Sequence, residues 1–375
     1  MERRTFIKKV GAGAAAVGGA GVLGLINGCG NNKQSEKKAA TSTQSKTYNW
    51  KMATTWPPHF PVLGEGADNL AKWIEEMSGG RLKIQVYGGG ELIPPLQVFD
   101  AVSQGTVEMG HGASYYWAGK SPATQFFAAV PFGFNAQSFN AWIYSGGGMK
   151  LWEEIYAPFN LKPFLVGNTG VQMGGWFNKS IKSINDLKGL KMRIPGLGGK
   201  VLAKAGGNAI LVAGGEIYTN LDRGVIDATE WIGPYHDLKM GFFKAAKYYY
   251  YPGWHEPGTG LEAMINKKAW DSLPKDLQAI VDAATYKSNM WMLSEFEAKN
   301  NSALQVLINK HKVKVKQFPT KVLTQLKKMS KQVIDDVAAK DPASKKVYNS
   351  FLKFQKNIYS WNKLTEESYH KFKYL

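Results

Sequence analysis

The stretch Asp227-Ala-Thr-Glu230-Trp231-Ile-Gly-Pro234-Tyr-His236 sets a carboxylate and an indole side by side, just ahead of a Gly-Pro stop. Val225-Ile226 before it reads as a short buried strand. A charged group where a strand runs out into a loop is a common way to hold a binding residue on a rigid scaffold. The plainer reading is a solvated loop acid beside a core aromatic, since a buried Glu requires a partner. Arg193 lies in Lys191-Met-Arg193-Ile-Pro195-Gly196 and reads as the centre of another short strand. A guanidinium there can take a carboxylate bidentately, which a lysine cannot. An interdomain salt bridge is the other role open to it. Trp56, His111 and Tyr115-Tyr116-Trp117 fall at strand ends, where they either line a pocket or pack a rim. Glu256 follows Trp254-His255 in an aromatic run. A catalytic use of Glu230 with His111, His236 or His255 has no supporting motif. The chain contains no Gly-x-Ser-x-Gly elbow, no His-Glu-x-x-His pair and no phosphate loop.

The elements that must carry these groups come in a repeated order. Tyr48 to Thr54 alternates as a strand. Leu63, Ala67, Leu70, Ala71, Ile74 and Met77 recur at helical spacing, and Ser-Gly-Gly ends that helix. Leu82 to Tyr87 is a second strand, Pro94-Pro95 opens a helix, and Val107 to His111 is a third strand. Such a β-α-β-α-β start predicts a parallel sheet flanked by helices, with ligands beyond the carboxyl ends of its strands. Ser138 to Tyr156 reads as one helix and Leu161 to Val166 as a strand. A second unit of the same order follows. The expected class is α/β with two lobes, each a mixed, mostly parallel sheet flanked by helices. Residues 47–166 form lobe 1 and 167–254 lobe 2. Residues 255–312 return to lobe 1 and include a long helix after Pro274. Residues 313–375 form a C-terminal helical arm, longer than two lobes need and suited to binding a second copy.

The formal net charge is +18, and residues 310–375 hold sixteen lysines against five acids. These lysines alternate with apolar residues at helical spacing, so they read as solvated helix faces. The stretch has no arginine, which argues against nucleic acid. At the other end, Arg3-Arg4-Thr-Phe6 and an uncharged Gly/Ala-rich run resemble a twin-arginine export signal. Cys29, the only cysteine, stands where a bacterial lipoprotein carries its lipid, and no internal disulfide is available. Residues 30–46 are too polar to bury a core and read as a tether. The expected location is extracytoplasmic, lipid-anchored to the membrane.

Asp186-Leu-Lys-Gly-Leu-Lys-Met-Arg193-Ile-Pro-Gly resembles a run found in the DctP-type solute-binding proteins of TRAP transporters. Glu216-Ile-Tyr-Thr-Asn220-Leu-Asp-Arg-Gly-Val-Ile-Asp227 resembles the next motif of that family. The resemblance extends from about Tyr48 to about Lys312. It implies a two-lobed periplasmic-binding-protein fold, type II-like, in which Arg193 grips a substrate carboxylate and Asn220 lies near the ligand. Thr229-Glu230-Trp231 and Gly170-Val-Gln172-Met-Gly-Gly-Trp176-Phe177 resemble the branch that binds 2-oxo acids or lactate. In that branch a cation bridges protein and ligand. The resemblance implies that Gln172 supplies a side-chain oxygen, Glu230 a carboxylate and Trp231 its main-chain carbonyl, with Glu256 as a further ligand. An all-oxygen set suits Na⁺ or Ca²⁺ and argues against zinc. Trp56, Tyr115, Tyr116 and Trp231 are expected to wall the ligand, with arginine and cation on opposite jaws. The implied function is capture of a pyruvate-like acid and its delivery to TRAP membrane permease subunits by a homodimeric, non-enzymatic protein. A binder of lactate, a dicarboxylate or a sugar acid, or a ligand-presenting receptor lipoprotein, is also compatible with these residues.

Overall fold

The structure is a computed structural model that describes residues 46–372. The export signal, Cys29 and nearly all of the tether lie outside the described residues. Among those described, no helix is long and apolar enough to cross a membrane.

Lobe 1 opens with β1 (Tyr48–Thr54), α1 (Leu63–Met77), β2 (Leu82–Tyr87), α2 (Val98–Ser103) and β3 (Met109–Gly112). It continues through α3 (Ala136–Tyr144), α4 (Gly148–Tyr156) and β4 (Leu161–Asn168). The chain then crosses into lobe 2: β5 (Gly175–Phe177), β6 (Lys191–Arg193), α5 (Gly196–Lys204), β7 (Asn208–Ile210), α6 (Ile217–Asp222), β8 (Ala228–Thr229), α7 (Pro234–Met240) and β9 (Tyr248–Tyr251). It crosses back with β10 (Gly260–Asn266), then α8 (Lys267–Asp271) and α9 (Lys275–Asn309). The C-terminal part holds β11 (Lys314–Gln317), α10 (Thr320–Lys340), α11 (Pro342–Leu364) and α12 (Glu366–His370).

The first sheet has the order β2-β1-β3-β10-β4, the second β11-β9-β5-β8-β6-β7. Strand β1 runs parallel to β2 and β3, whereas β10 is antiparallel to β3 and β4. In the second sheet β6 is parallel to β7 and β8, and β9 to β11, while β5 opposes both its neighbours. This is the two-lobed α/β class expected. Helix α9, 35 residues and therefore roughly 50 Å long, packs on β4 and α1 of lobe 1 and on α7 of lobe 2.

Four local readings change. Residues 138–156 form two helices, because Ser145-Gly-Gly-Gly148 interrupts them and Gly147 takes a left-handed turn at φ 86°. Val225-Ile226 is not a buried strand: Val225 is 50% exposed and pairing begins only at Ala228. Arg193 closes β6 rather than centring it, two residues before a proline that cannot extend a ladder. The C-terminal arm is not free of the lobes. Its first residues add β11 to the edge of the second sheet, and α10 packs on α5 while α11 packs on α3 and α4. Val322, Leu326, Val333, Val347 and Phe351 are buried by this packing, whereas Lys321, Lys327, Lys328 and Lys331 face solvent as expected.

Candidate functional site

The parallel pairing of β6 with β8 sets Arg193 opposite Thr229, so Glu230 lies one step beyond, at the carboxyl ends of both strands. Arg193 is 1% exposed and Glu230 0%. Arg193 Nη1 donates to Glu230 Oε1, and the Glu230 N–H donates to the Arg193 carbonyl at 3.2 Å. Nη2 reaches across to the Tyr116 hydroxyl of lobe 1 at 3.2 Å. The Trp231 ring lies 5.2 Å from the guanidinium carbon. The salt bridge foreseen as an alternative for Arg193 therefore exists, but within one lobe. Arginine and Glu230 share a jaw, which corrects the expectation of opposite jaws; adjacent strands of one sheet supply both.

Gln172 and Glu256 come from two of the passages between lobes, β4 to β5 and β9 to β10. These crossings are joined by Gln172 N–H to the Glu256 carbonyl (3.2 Å) and Gly253 N–H to the Gln172 carbonyl (2.9 Å). The Gln172 amide nitrogen donates to Glu256 Oε2 (2.8 Å), Thr169 Oγ1 (3.1 Å) and Thr259 Oγ1 (3.2 Å). Its oxygen is thereby turned the other way. Sequence reasoning did not place His255 among the ligands, although it adjoins Glu256 in the chain. Its Nε2 lies 3.4 Å from Glu230 Oε2. Thr169 and Thr259 were also missed; nothing in their local sequence marks them.

Lobe 1 supplies the facing wall. Trp56 Nε1 donates to His111 Nδ1 at 2.8 Å, and its ring meets Trp231 edge-on at 6.3 Å. Tyr115 and Tyr116 stand edge to face at 4.8 Å. Tyr115 presses on the first residue of α5, where a Cβ on Gly196 would meet the Tyr115 Cβ at 3.0 Å. On the far side of Trp231, its indole donates to His236 Nδ1 (3.1 Å), and His236 Nε2 donates to the Pro61 carbonyl of lobe 1 (2.6 Å). Asp237 anchors the same loop by accepting from Trp176 Nε1 (2.9 Å) and the Tyr249 hydroxyl (2.6 Å). Asn220 does not join the cluster: its amide turns back to the Glu216 carbonyl within α6.

Several buried polar atoms converge here without any hydrogen-bond partner: Gln172 Oε1, Arg193 Nε, Glu230 Oε2 and both ring nitrogens of His255. A buried unpaired polar atom costs about 1–3 kcal/mol, so folded proteins retain few of them. The Trp231 carbonyl likewise accepts no hydrogen bond among the described residues. Burial pushes the Glu230 carboxyl up to about 7 against the pull of Arg193. Burial, then the neighbouring Glu230, pushes Glu256 up to about 7. Burial lowers His255 to about 4, so its imidazole is neutral. Burial opposes the charge on Arg193, but Glu230, Tyr116, Tyr115 and Glu256 together outweigh it and hold the guanidinium ionised. Glu230, His255 and Glu256 offer ligand atoms within 4.8 Å of one another. Two carboxylates and one imidazole make this donor set oxygen-rich, which suits a hard cation.

Two lobes closed on a buried cluster of unpaired acceptors and donors define a clamp for a small ligand. The chain belongs to the bacterial extracellular solute-binding protein family 7 (DctP), which it matches over residues 52–341. It is 49% identical over 323 residues to a monocarboxylate 2-oxoacid-binding periplasmic protein of Nostoc sp., covering 86% of this chain and 88% of that one. A TRAP periplasmic solute-binding protein from Pseudoalteromonas atlantica, crystallised with sodium and pyruvate, is 44% identical with a TM-score of 0.85 over 87% of this chain and 99% of its own. A TRAP solute-binding protein from Bordetella bronchiseptica is 42% identical, with a TM-score of 0.85 over 87% and 97%. That one is a mixed-occupancy dimer with copurified calcium and picolinate in one active site and an apo site in the other.

Proposed function

We propose that this protein is the extracytoplasmic binding subunit of a TRAP transporter and captures a small 2-oxo monocarboxylate together with Na⁺ or Ca²⁺. The observation that carries the reading is the convergence of unpaired atoms at Arg193, Gln172, Glu230 and His255. Arg193 presents its fork to the carboxylate of the acid. Glu230, its present partner, then needs another positive charge. A bound cation supplies that charge and chelates the oxygens of the acid; Gln172 Oε1, Glu230 and the Trp231 carbonyl would hold it, with Glu256 in reserve. Trp56, Tyr115, Tyr116 and Trp231 exclude water, which strengthens every one of these contacts.

Pyruvate and picolinate, the ligands of the two crystallised relatives, share one feature. Each sets a hydrogen-free acceptor, a carbonyl oxygen or a ring nitrogen, beside a carboxylate. That pairing is what a cation and an arginine can seize together, and it favours a 2-oxo acid over a dicarboxylate or sugar acid here.

The same reading delivers the loaded protein to membrane permease subunits from a position outside the cytoplasmic membrane, tethered through a lipidated Cys29. It also makes the protein a homodimer, supported by the dimeric Bordetella relative and by the exposed Trp361, Leu364 and Tyr369 at the C-terminal end. Titration calorimetry with pyruvate tests the core of the proposal. Saturable binding that chelator and sodium removal abolish is expected; binding indifferent to every cation, or absent altogether, refutes it.

A further inference from the structure

Charge is divided unevenly between the lobes. Residues 47–166 and 255–309 hold twelve lysines and arginines against sixteen acids, whereas residues 167–254 and 310–375 hold twenty-seven against eleven. Part of that excess is concentrated at one place. The chain entering and forming β11 reads Lys312-Val-Lys314-Val-Lys316. Side chains alternate along a strand, so Val313 and Val315 pack on the core while Lys312 and Lys314 stand exposed. Lys316 turns aside to Ser180 Oγ at 3.2 Å. Lysines on an edge strand guard it against pairing with another chain, and β11 is an edge strand. That role accounts for Lys312 and Lys314 alone. Lys244 and Lys247, from the turn between α7 and β9, are exposed as well. All four lysines line one open cavity of about 290 Å³, together with Phe243 and His311. No acidic side chain lines it. None of the four lysines enters an ion pair among the described residues.

We infer that this face of lobe 2 docks on an anionic membrane surface, with the cavity taking a phosphate-bearing lipid headgroup. Four like charges around one hollow repel one another until an anion answers them. A lysine acts on phosphate as a point charge, and undirected charge suits headgroups that move. Carboxylates of a protein partner are gripped in fixed geometry by an arginine fork, and no arginine lines this cavity. A helix with its side chains is about 10 Å across, too wide to seat in a hollow of this volume. The family works outside the cytoplasm, where the membrane presents its outer leaflet. Lobe 1, weakly acidic, is repelled by the same surface, so docking also turns lobe 2 toward the bilayer. None of the four lysines belongs to the clamp site, and the inference stands whatever acid the protein carries.

The test is co-sedimentation of the full chain with vesicles at about 0.15 M salt. One set is phosphatidylcholine alone; the other contains about one third phosphatidylglycerol. Every protein carries Cys29→Ser, so none is held by a lipid of its own and the N-terminal segment contributes equally to all. The protein with its lysines intact should bind the anionic vesicles, ignore the neutral ones, and be released as salt rises. Lys244→Gln, Lys247→Gln, Lys312→Gln and Lys314→Gln should each cost about fivefold in partitioning, and together about a hundredfold or more. Lys340→Gln, Lys345→Gln, Lys353→Gln and Lys356→Gln together remove the same charge from exposed positions at the end of α10 and on α11, which packs on lobe 1. That second set should cost less than about threefold. Failure to bind the anionic vesicles, or equal binding to neutral ones, overturns the inference. An equal loss in the two fourfold variants overturns it too, because the attraction would then belong to net charge and not to this face. Melting temperatures should match between the variants; if a fourfold variant does not fold, the four single substitutions carry the comparison.

Discussion

At Glu230 burial and charge pull in opposite directions. Its carboxyl is raised to about 7 by desolvation, yet Arg193 beside it favours the ionised form. Removing Arg193 leaves that acid buried with no positive neighbour. Arg193→Ala is therefore expected to abolish carboxylate binding and to weaken the fold by roughly 3–5 kcal/mol; calorimetry and thermal denaturation check the two parts separately. Glu230→Gln keeps the shape but removes the charge, and should leave an affinity that no longer responds to chelator. The pH dependence follows from the raised carboxyls at Glu230 and Glu256, both about 7 against an ordinary 4.5. A group whose pKa is higher in the folded state stabilises most below its unfolded value, and that stability is lost as pH rises through the folded value. The melting temperature of cation-free protein should thus fall between about pH 5 and about pH 8. Calcium should remove most of that fall, because it pairs with the ionised carboxylates. A flat profile without calcium, or an equal fall with it, would speak against this account.

At the scale of elements, β6, β8 and the first turn of α5 do the positioning. Gly196 opens α5 at φ 59°, where other residues are strained, and leaves no room for a side chain against Tyr115. Since Tyr115 belongs to the other lobe, that close approach exists only in the shut clamp. Gly196→Ala should weaken ligand affinity by roughly tenfold, mostly through faster release, which stopped-flow fluorescence of the site tryptophans can follow. The strands and first helices were legible because their periodicity is clean and their ends carry Gly or Pro. Arg193 and Glu230 were legible as parts of short motifs. Their contact with each other was not, because it depends on β8 lying beside β6, a crossover that local pattern does not encode. His255 was hidden for a similar reason: its neighbour in space, Glu230, follows β8, far away in the chain. Strand β11 was obscured by its lysines, and the break at residues 145–148 by apolar spacing that continues on both sides of it.

The whole molecule is two lobes spanned by one long helix, with the chain passing between them repeatedly. The proposed dimer would cover the apolar residues at the C-terminal end, of which Trp361 is 59% exposed. Light scattering of the purified protein should give twice the chain mass; a monomeric mass at every concentration removes that part of the proposal. The passages that carry Gln172 and Glu256 bear on how such a protein is primed. Gln172 and Glu256 are laced together where the chain passes between lobes, so the proposed ion, held by Gln172 as well as by Glu230 and Trp231, would fasten that pivot to the second lobe. Salt in the surrounding fluid would then set how many copies stand ready, and the acid would find a stiffened jaw already waiting for it.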